Sequence, residues 1–348
     1  MSLVSVVMPT YNSAKWVNET IDNLILQTYP HIELIVVDDG SRDDTVSVVR
    51  NKLRNDFKHD WQIIELGSNR GPSAARNVGL RAATGSWVQY LDSDDFMSPS
   101  KFELQMAYCE RASSDVSAVY SSWRQCYVDS GKITLTGQLT QPDMVGKAPI
   151  MCLVSNHRPL HSAGLARRSV LEQIGGFDET LRFWECEEVT FRLAKAGRLE
   201  KVPSAKPLYL WRQHRDRVYL GGDEARYHST PVALSWIELM LKGFEYKTLD
   251  ELDISAEDRR DILYYSADWA RTLYRQDRSA FRKYVATARR LDPNLAPAYP
   301  KIISALSRHV GYEGAEAIAS LARAPGDLIR KAVHSLRSRP QESAFDWN

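Results

Sequence analysis

Asp92-Ser93-Asp94-Asp95 is the densest concentration of potential chemistry in the chain. Carboxylates set this close repel one another unless a cation lies among them. Hard divalent cations such as Mg²⁺ and Mn²⁺ favour oxygen ligands and keep positions open for phosphate oxygens. The cluster therefore suits a divalent cation bound against a diphosphate. The same residues also read as an exposed acidic turn ahead of a helix beginning near Ser98. A second group, Asp38-Asp39-Gly40-Ser41, could accept hydrogen bonds from a nucleobase edge or a ribose hydroxyl, or cap the following helix. Tyr11, after Pro9-Thr10, could stack on a base or simply pack. In Asn69-Arg70-Gly71-Pro72 a glycine precedes a helix whose N-terminus would attract an anion. Arg76 on that helix could reach a base or a phosphate, or form a surface salt bridge.

These groups make one site only if the intervening elements bring them together. Leu3 to Met8 is a valine-rich run suited to a strand buried on both faces. Pro9-Thr10-Tyr11-Asn12-Ser13 breaks it, and Val17, Ile21, Leu24 and Ile25 then recur at helical spacing. Glu33 to Val37 reads as a strand, Asp43 to Leu53 as a helix and Trp61 to Leu66 as a strand. Pro72 to Ala83 reads as a helix with proline in its first turn. Ser86 to Leu91 is a strand that runs straight into Asp92. Alternating strands and helices imply parallel crossovers, and such sheets bind ligands beyond the carboxyl ends of their strands. Thr10 to Asn12, Asp38 to Ser41, Asn69 to Gly71 and Asp92 to Asp95 all fall just past those ends.

Further along, Val116 to Ser122 reads as a strand, whereas residues 124–150 alternate poorly. Arg168 to Ile174 and Glu188 to Ala196 read as helices, and Leu208 to Trp211 as a short strand. From about residue 230 the chain reads as helices only. Phe281, Tyr284, Val285, Ala288 and Leu291 form one apolar face, and a helical hairpin over 260–291 resembles a single tetratricopeptide-like unit. The expected organisation is a catalytic domain over 1–225 and a helical domain over 226–348. Leu321 to Pro340 carries Arg323, Arg330, Lys331, Arg337 and Arg339 interleaved with apolar residues. That stretch could lie on an anionic membrane surface or present a solvated basic face.

Composition narrows the options. Of 348 residues 43% are hydrophobic and 26% charged, with net charge +1, so no nucleic-acid partner is indicated. No apolar run approaches the roughly 18 residues of a membrane helix, and the N-terminal residues read as a strand. A cytoplasmic protein is expected, with peripheral membrane contact as the alternative that the basic stretch allows. Cys109, Cys126, Cys152 and Cys186 form no CxxC pair, so a zinc site is not expected and all four should remain reduced.

Val7-Met8-Pro9-Thr10-Tyr11-Asn12, Val36-Val37-Asp38-Asp39-Gly40-Ser41-Arg42-Asp43, Asn69-Arg70-Gly71 with Ala75-Arg76-Asn77-Val78-Gly79, and Leu91-Asp92-Ser93-Asp94-Asp95 together resemble the family 2 glycosyltransferases, in order and spacing, over about residues 3–215. The resemblance implies an α/β GT-A fold, Rossmann-like, with a mostly parallel central sheet flanked by helices; the helical C-terminal region would follow it. It further implies an inverting mechanism, a divalent cation (Mn²⁺ or Mg²⁺) and a nucleotide-diphosphate-sugar donor, most often UDP-linked. Pro9, Thr10, Tyr11, Asn12, Asp39, Asn69, Gly71 and Arg76 would meet the nucleotide. Asp92 and Ser93 would touch ribose or sugar, and Asp94 would hold the metal.

The acceptor half departs from the pattern. In Trp184-Glu185-Cys186-Glu187-Glu188, Cys186 stands where the family's catalytic aspartate usually lies. A neutral thiol is a poor general base for a sugar hydroxyl, so Glu185, Glu187 and Glu188 become the candidates. They could instead merely complement the helix dipole. The family's Arg-x-His recurs as Arg212-Gln213-His214. His214 would bind the metal or diphosphate, and Arg212 would neutralise the leaving group. His161 and Trp184 would line the acceptor pocket. The function expected is hexosyl or N-acetylhexosaminyl transfer to a glycan or lipid-linked acceptor in polysaccharide biosynthesis. A nucleotide-sugar-binding protein without transfer activity is the alternative raised by Cys186. A nucleotidyltransferase lacks support, because no glycine- and basic-rich triphosphate loop follows the first strand.

Overall fold

The computed structural model describes residues 1–129, 131–154, 159–214, 270–291 and 312–315, with isolated positions between 232 and 258. Strand β1 (Val4–Thr10) is buried along almost its whole length, as its valine-rich sequence requires. It lies between two parallel partners, β2 (Ile32–Asp38) and β4 (Trp87–Tyr90), and β2 pairs in parallel with β3 (Asp60–Glu65). Parallel neighbours need crossovers. These are α1 (Val17–Ile25), α2 (Thr45–Asp56) and α3 (Pro72–Ala82). Helix α1 buries Val17, Ile21 and Leu24, the stripe that its spacing predicts. Gly79 lets α3 approach the sheet, since a Cβ there would run into the Val7 and Val37 side chains.

After β4 the chain forms β5 (Phe96–Met97), α4 (Lys101–Cys109) and β6 (Val116–Tyr120). Later come β9 (Gly164–Arg167), α6 (Arg168–Gln173), α7 (Glu185–Ala196) and β10 (Arg198–Lys201). The main sheet has seven strands in the order β10-β6-β9-β4-β1-β2-β3. Only β9 runs against its neighbours, between β4 and β6. The sheet is thus mixed but mostly parallel, a GT-A-like α/β architecture.

A second sheet was not legible beforehand. Residues 124–150, read as irregular, contain most of β7 (Trp123–Asp129) and all of its antiparallel partner β8 (Lys132–Thr140). With β5 and β11 (Tyr209–Arg212) they give the order β5-β11-β7-β8. The reason is physical: Cys126 and Leu135 are the buried positions of β7 and β8, so no alternating apolar face marks either strand. Helix α7 also begins at Glu185, three residues before the expected start. A short α5 (Met151–Val154) and a 3-10 turn (His161–Ala163) complete this region.

The chain divides into two compact units. The first holds Met1–Cys152 and His157–His214, and the second takes in Arg215–Gln341. Within the second, α8 (Arg278–Leu291) buries Phe281, Tyr284 and Ala288 on one face, as their spacing predicts. The basic stretch 321–340 and residues 259–269 lie outside the described residues. Among the described residues no helix is long and apolar enough to cross a membrane.

Candidate active site

The carboxyl ends of β1 to β4 open on one side of the sheet, and the polar clusters gather there. A cavity of about 340 Å³ is lined by Tyr11, Asp38, Gly40, Ser41, Arg42 and Asn69, among others. Its walls are braced by the chain itself. The Asn12 backbone N–H donates to Ser41 Oγ at 2.9 Å, and Arg42 N–H to Asn12 Oδ1 at 2.8 Å. Asn12 adopts φ 49° to make this link, a conformation that asparagine tolerates better than most residues. Thr10 Oγ1 donates to Asp38 Oδ1 at 3.2 Å from a buried position, and Pro9 lies in β1 opposite Val37.

Asp39 is buried and holds the glycine loop. Its two carboxylate oxygens accept from the Arg70 and Gly71 backbone N–H groups at 2.7 and 2.8 Å. Burial pushes this carboxyl above its ordinary value, and the two amide bonds oppose the shift. Gly71, at φ 92°, ends that loop, and Pro72 opens α3.

At the end of β4 each of the four residues of the acidic turn faces a different set of partners. Asp92 Oδ1 accepts from Arg76 Nη2 at 2.9 Å. Ser93 Oγ meets Ser13 Oγ at 2.8 Å, and its carbonyl accepts from Thr20 Oγ1 at 3.0 Å, which fixes the start of α1 against the turn. Asp94 Oδ2 lies 2.9 Å from His214 Nε2. Asp95, 1% exposed, accepts from Tyr209 Oη at 2.6 Å and from the Arg212 backbone N–H at 2.8 Å.

The structure thus brings Asp94 and His214 together and gives different settings to two cations. Arg76 was expected at the nucleotide, yet its side chain is buried and absent from the cavity lining. It bridges Asp92 to Glu185, whose Oε1 is 3.3 Å from Arg76 Nη1, and it lies 5.2 Å from the Phe177 ring centroid. Arg212 was expected to neutralise a leaving group. It is 1% exposed, paired with Glu19 at 2.7 Å and packed on Phe96 at 4.1 Å. A buried guanidinium needs a carboxylate close by; Asp92 and Glu185 stand beside Arg76, and Glu19 stands beside Arg212.

The side expected to meet an acceptor is built on the first turn of α7. Trp184 precedes it at φ 66°, a strained left-handed conformation for a bulky residue. Glu188 was a base candidate, but both of its oxygens bond Arg192 at 2.6 Å, and Arg192 also donates to the Ile174 and Gly176 carbonyls. These bonds tie the first turn of α7 to the preceding loop. The Cys186 sulfur lies 3.7 Å from His161 Nε2 and 3.6 Å from Glu185 Oε1. Burial and the Glu185 carboxylate push this thiol well above its ordinary value, against the opposing pull of Arg76. Burial, reinforced by Arg76, pushes His161 down to about 3. Tyr90 and Phe177 flank the same imidazole. Sequence reasoning missed Asp95, Tyr209, Trp16 and Glu19 as supports of the site, because their partners are distant in the chain.

A divalent cation takes imidazole nitrogen and carboxylate oxygen readily, so the Asp94–His214 pair fits one. Among the described residues no cluster of three or more His, Cys, Asp or Glu side chains could hold a metal ion. Two protein ligands leave the remaining positions for phosphate and water, the manner in which Mg²⁺-like ions are held at nucleotide sites.

Residues 5–175 match the model of the family described as glycosyl transferase family 2. Over these residues the chain belongs to the family 2 glycosyltransferases. The uncharacterized glycosyltransferase EpsJ of Bacillus subtilis is 30% identical over 222 residues, covering 61% of each chain. An uncharacterized glycosyltransferase of Haemophilus influenzae is 39% identical over 108 residues, 31% of this chain and 42% of that protein. The match therefore spans less than two thirds of either relative. Among solved structures, S. aureus TarS 1-349 in complex with UDP-GlcNAc is 20% identical with a TM-score of 0.54, over 92% of this chain and 91% of that one. The mannosyltransferase PcManGT from Pyrobaculum calidifontis, in complex with GDP-Man and Mn²⁺, is 20% identical with a TM-score of 0.51, over 92% and 87%. At these identities the likeness establishes the fold.

Asp95→Ala is expected to remove the carboxylate that accepts from the Tyr209 hydroxyl and the Arg212 N–H inside the protein and to cost about 2–4 kcal/mol, read as a lower urea midpoint. His161 gives a pH signature. An unfolded imidazole titrates near 6.5 and the folded one near 3, so the unfolded chain takes up the proton first. His161 should therefore erode stability as pH falls below about 6.5. Wild type should lose more stability between about pH 7 and 5 than His161→Gln, in parallel denaturant titrations.

Proposed function

We propose that the chain is an inverting glycosyltransferase that moves a sugar from a UDP-linked donor to a hydroxyl of a glycan or lipid-linked acceptor. The observation that carries this reading is the Asp94–His214 pair, 2.9 Å apart, just past the end of β4 on the same carboxyl edge of the sheet as the ends of β1 to β3 that line the cavity by Tyr11 and Asn69. The nucleoside would lie in that cavity against Tyr11, Asn12, Asp39 and the Asn69–Gly71 loop. Asp92 and Ser93 would meet ribose or sugar. Asp94 and His214 would hold Mn²⁺ or Mg²⁺, which supplies positive charge to the diphosphate when bound. TarS with UDP-GlcNAc and PcManGT with Mn²⁺ support the donor class and the cation.

On the acceptor side the chain's own residues have separate tasks. Arg76 holds Asp92 and Glu185 in register, so the donor and acceptor walls share one cation. Cys186 stays protonated and does not serve as base. Glu185 is 3% exposed and paired with Arg76, whereas Glu187 on the same turn is the more accessible carboxylate. Glu187 would therefore take the proton from the acceptor hydroxyl as that oxygen attacks the anomeric carbon and the nucleoside diphosphate departs from the opposite face. A single displacement inverts the centre. Trp184 and His161 would line the acceptor pocket. We assign the catalytic domain to 1–225 and a helical domain to 226–348, with the basic stretch 321–340 as a means of reaching an anionic membrane surface from the cytoplasm.

Asp94→Ala should abolish Mn²⁺-dependent binding of UDP-sugars in calorimetry; undiminished binding would contradict the metal assignment. Glu187→Gln should retain donor affinity and lose about 10²–10⁴-fold in transfer rate. A full rate in Glu187→Gln with loss in Glu185→Gln would move the base to Glu185. Donor binding by wild type without any turnover across acceptors would favour the binding-protein alternative.

A further inference from the structure

The imidazole that faces Asp94 is held by a stack. His214 Nδ1 is buried and has no hydrogen-bond partner among the described residues. Metal-binding histidines ordinarily fix their ring plane by donating from the second nitrogen, and here no described group accepts such a bond. Trp16 touches the ring instead, with centroids 4.4 Å apart and planes inclined by 25°.

Trp16 is itself fixed from two sides. It stands at the N-cap of α1, whose first turn carries Glu19. The Arg212 guanidinium lies 5.2 Å from the Trp16 ring centroid and 4.1 Å from that of Phe96. Arg212 cannot swing away, because its side chain is 1% exposed and its Nη2 pairs with Glu19 at 2.7 Å. Thus α1 presents Trp16 and Glu19, while β11 and the two residues beyond it present Arg212 and His214. The four side chains interlock as ion pair, cation–π contact and aromatic stack.

We propose that Trp16 is a positioning residue for the cation site, setting the plane of the His214 ring so that Nε2 faces Asp94. The proposal rests on the reading of Asp94 and His214 as the cation-holding pair. An aromatic ring at position 16 is what the geometry demands; the indole N–H plays no part. Contacts that orient a metal ligand are worth about 10–100-fold in metal affinity, and a stack constrains less than a hydrogen bond, so the lower end applies.

The test is Mn²⁺ affinity of the full chain in the presence of UDP, by calorimetry, with UDP affinity in a chelator measured alongside. W16L should weaken Mn²⁺ about tenfold, W16F should keep wild-type affinity, and both should bind UDP without metal as wild type does. Undiminished Mn²⁺ affinity in H214A would remove the cation reading itself. Weakened binding in H214A with wild-type affinity in W16L would overturn the role of Trp16 alone. A W16L loss of equal size with and without Mn²⁺ would assign Trp16 to general packing and overturn it too. Should W16L not fold, wild type decides. Its His214 ring-proton resonances, assigned through H214A, should be displaced upfield by the indole ring current, and values at ordinary histidine shifts would refute the stack.

Discussion

Asp95 is the least accessible member of the acidic turn and the one on which the others depend. A carboxylate removed from water is costly unless hydrogen bonds satisfy it, and here a phenol and a backbone amide do so. Burial and this carboxylate together push the Tyr209 hydroxyl well above its ordinary value, so the hydroxyl keeps the proton it donates. The link matters because β5 is only two residues long and pairs with β11 through Tyr209 and Leu210. So short a ladder is marginal alone. Asp95 adds two bonds to β11, which also pairs in parallel with β7 from Tyr209 to Arg212. The register of β11 in turn places His214, two residues past Arg212, opposite Asp94. Buried hydrogen bonds at the end of β4 thereby help to place His214 beside Asp94.

Arg76 performs the matching task beside α7. It reaches Asp92 and Glu185 from the first turns of α3, so β4, α3 and α7 meet on a single guanidinium. Low dielectric strengthens those attractions and raises the cost of any unmatched charge. The neutral residue at position 186 is consistent with that electrostatic arrangement. A third carboxylate beside Asp92 and Glu185 would face the same arginine. The thiol avoids that repulsion, and the same burial that keeps it neutral also keeps His161 neutral. The inner wall beside the start of α7 thus holds one cation between two carboxylates, with uncharged groups behind them.

Much of the fold was legible because buried parallel strands and amphipathic helices write themselves as local patterns. Val4–Thr10, Ile32–Asp38 and the stripe Val17, Ile21, Leu24 need no distant information. The strand-end clusters were legible for the same reason, since a parallel sheet must gather them on one side. The β7–β8 hairpin was not, because neither strand has a regularly buried face. Nor could sequence say where a long cation would go. Arg76 has its carboxylate partners 16 and 109 residues away, and the partner of Arg212 lies in α1. A guanidinium near a ligand site looks the same in sequence whether it meets the ligand or braces the wall. The fold adds that both arginines are buried beside carboxylates.

The same reasoning bears on Trp184, whose left-handed backbone costs of order 1–3 kcal/mol at a non-glycine residue. Glycine would adopt φ 66° without that cost, so the tryptophan side chain must return something glycine cannot. The indole is 7% exposed, which supplies part of the return as buried apolar surface. The rest is directional. A left-handed residue at the N-cap turns the chain abruptly, so α7 starts with Glu185 already aimed inward at Arg76. An extended residue there would rotate the first turn and carry Glu185, Cys186 and Glu187 to different azimuths. The strain at Trp184 and the ion pair at Glu185 are therefore one arrangement: the turn delivers the carboxylate, and the buried pair holds the turn in place.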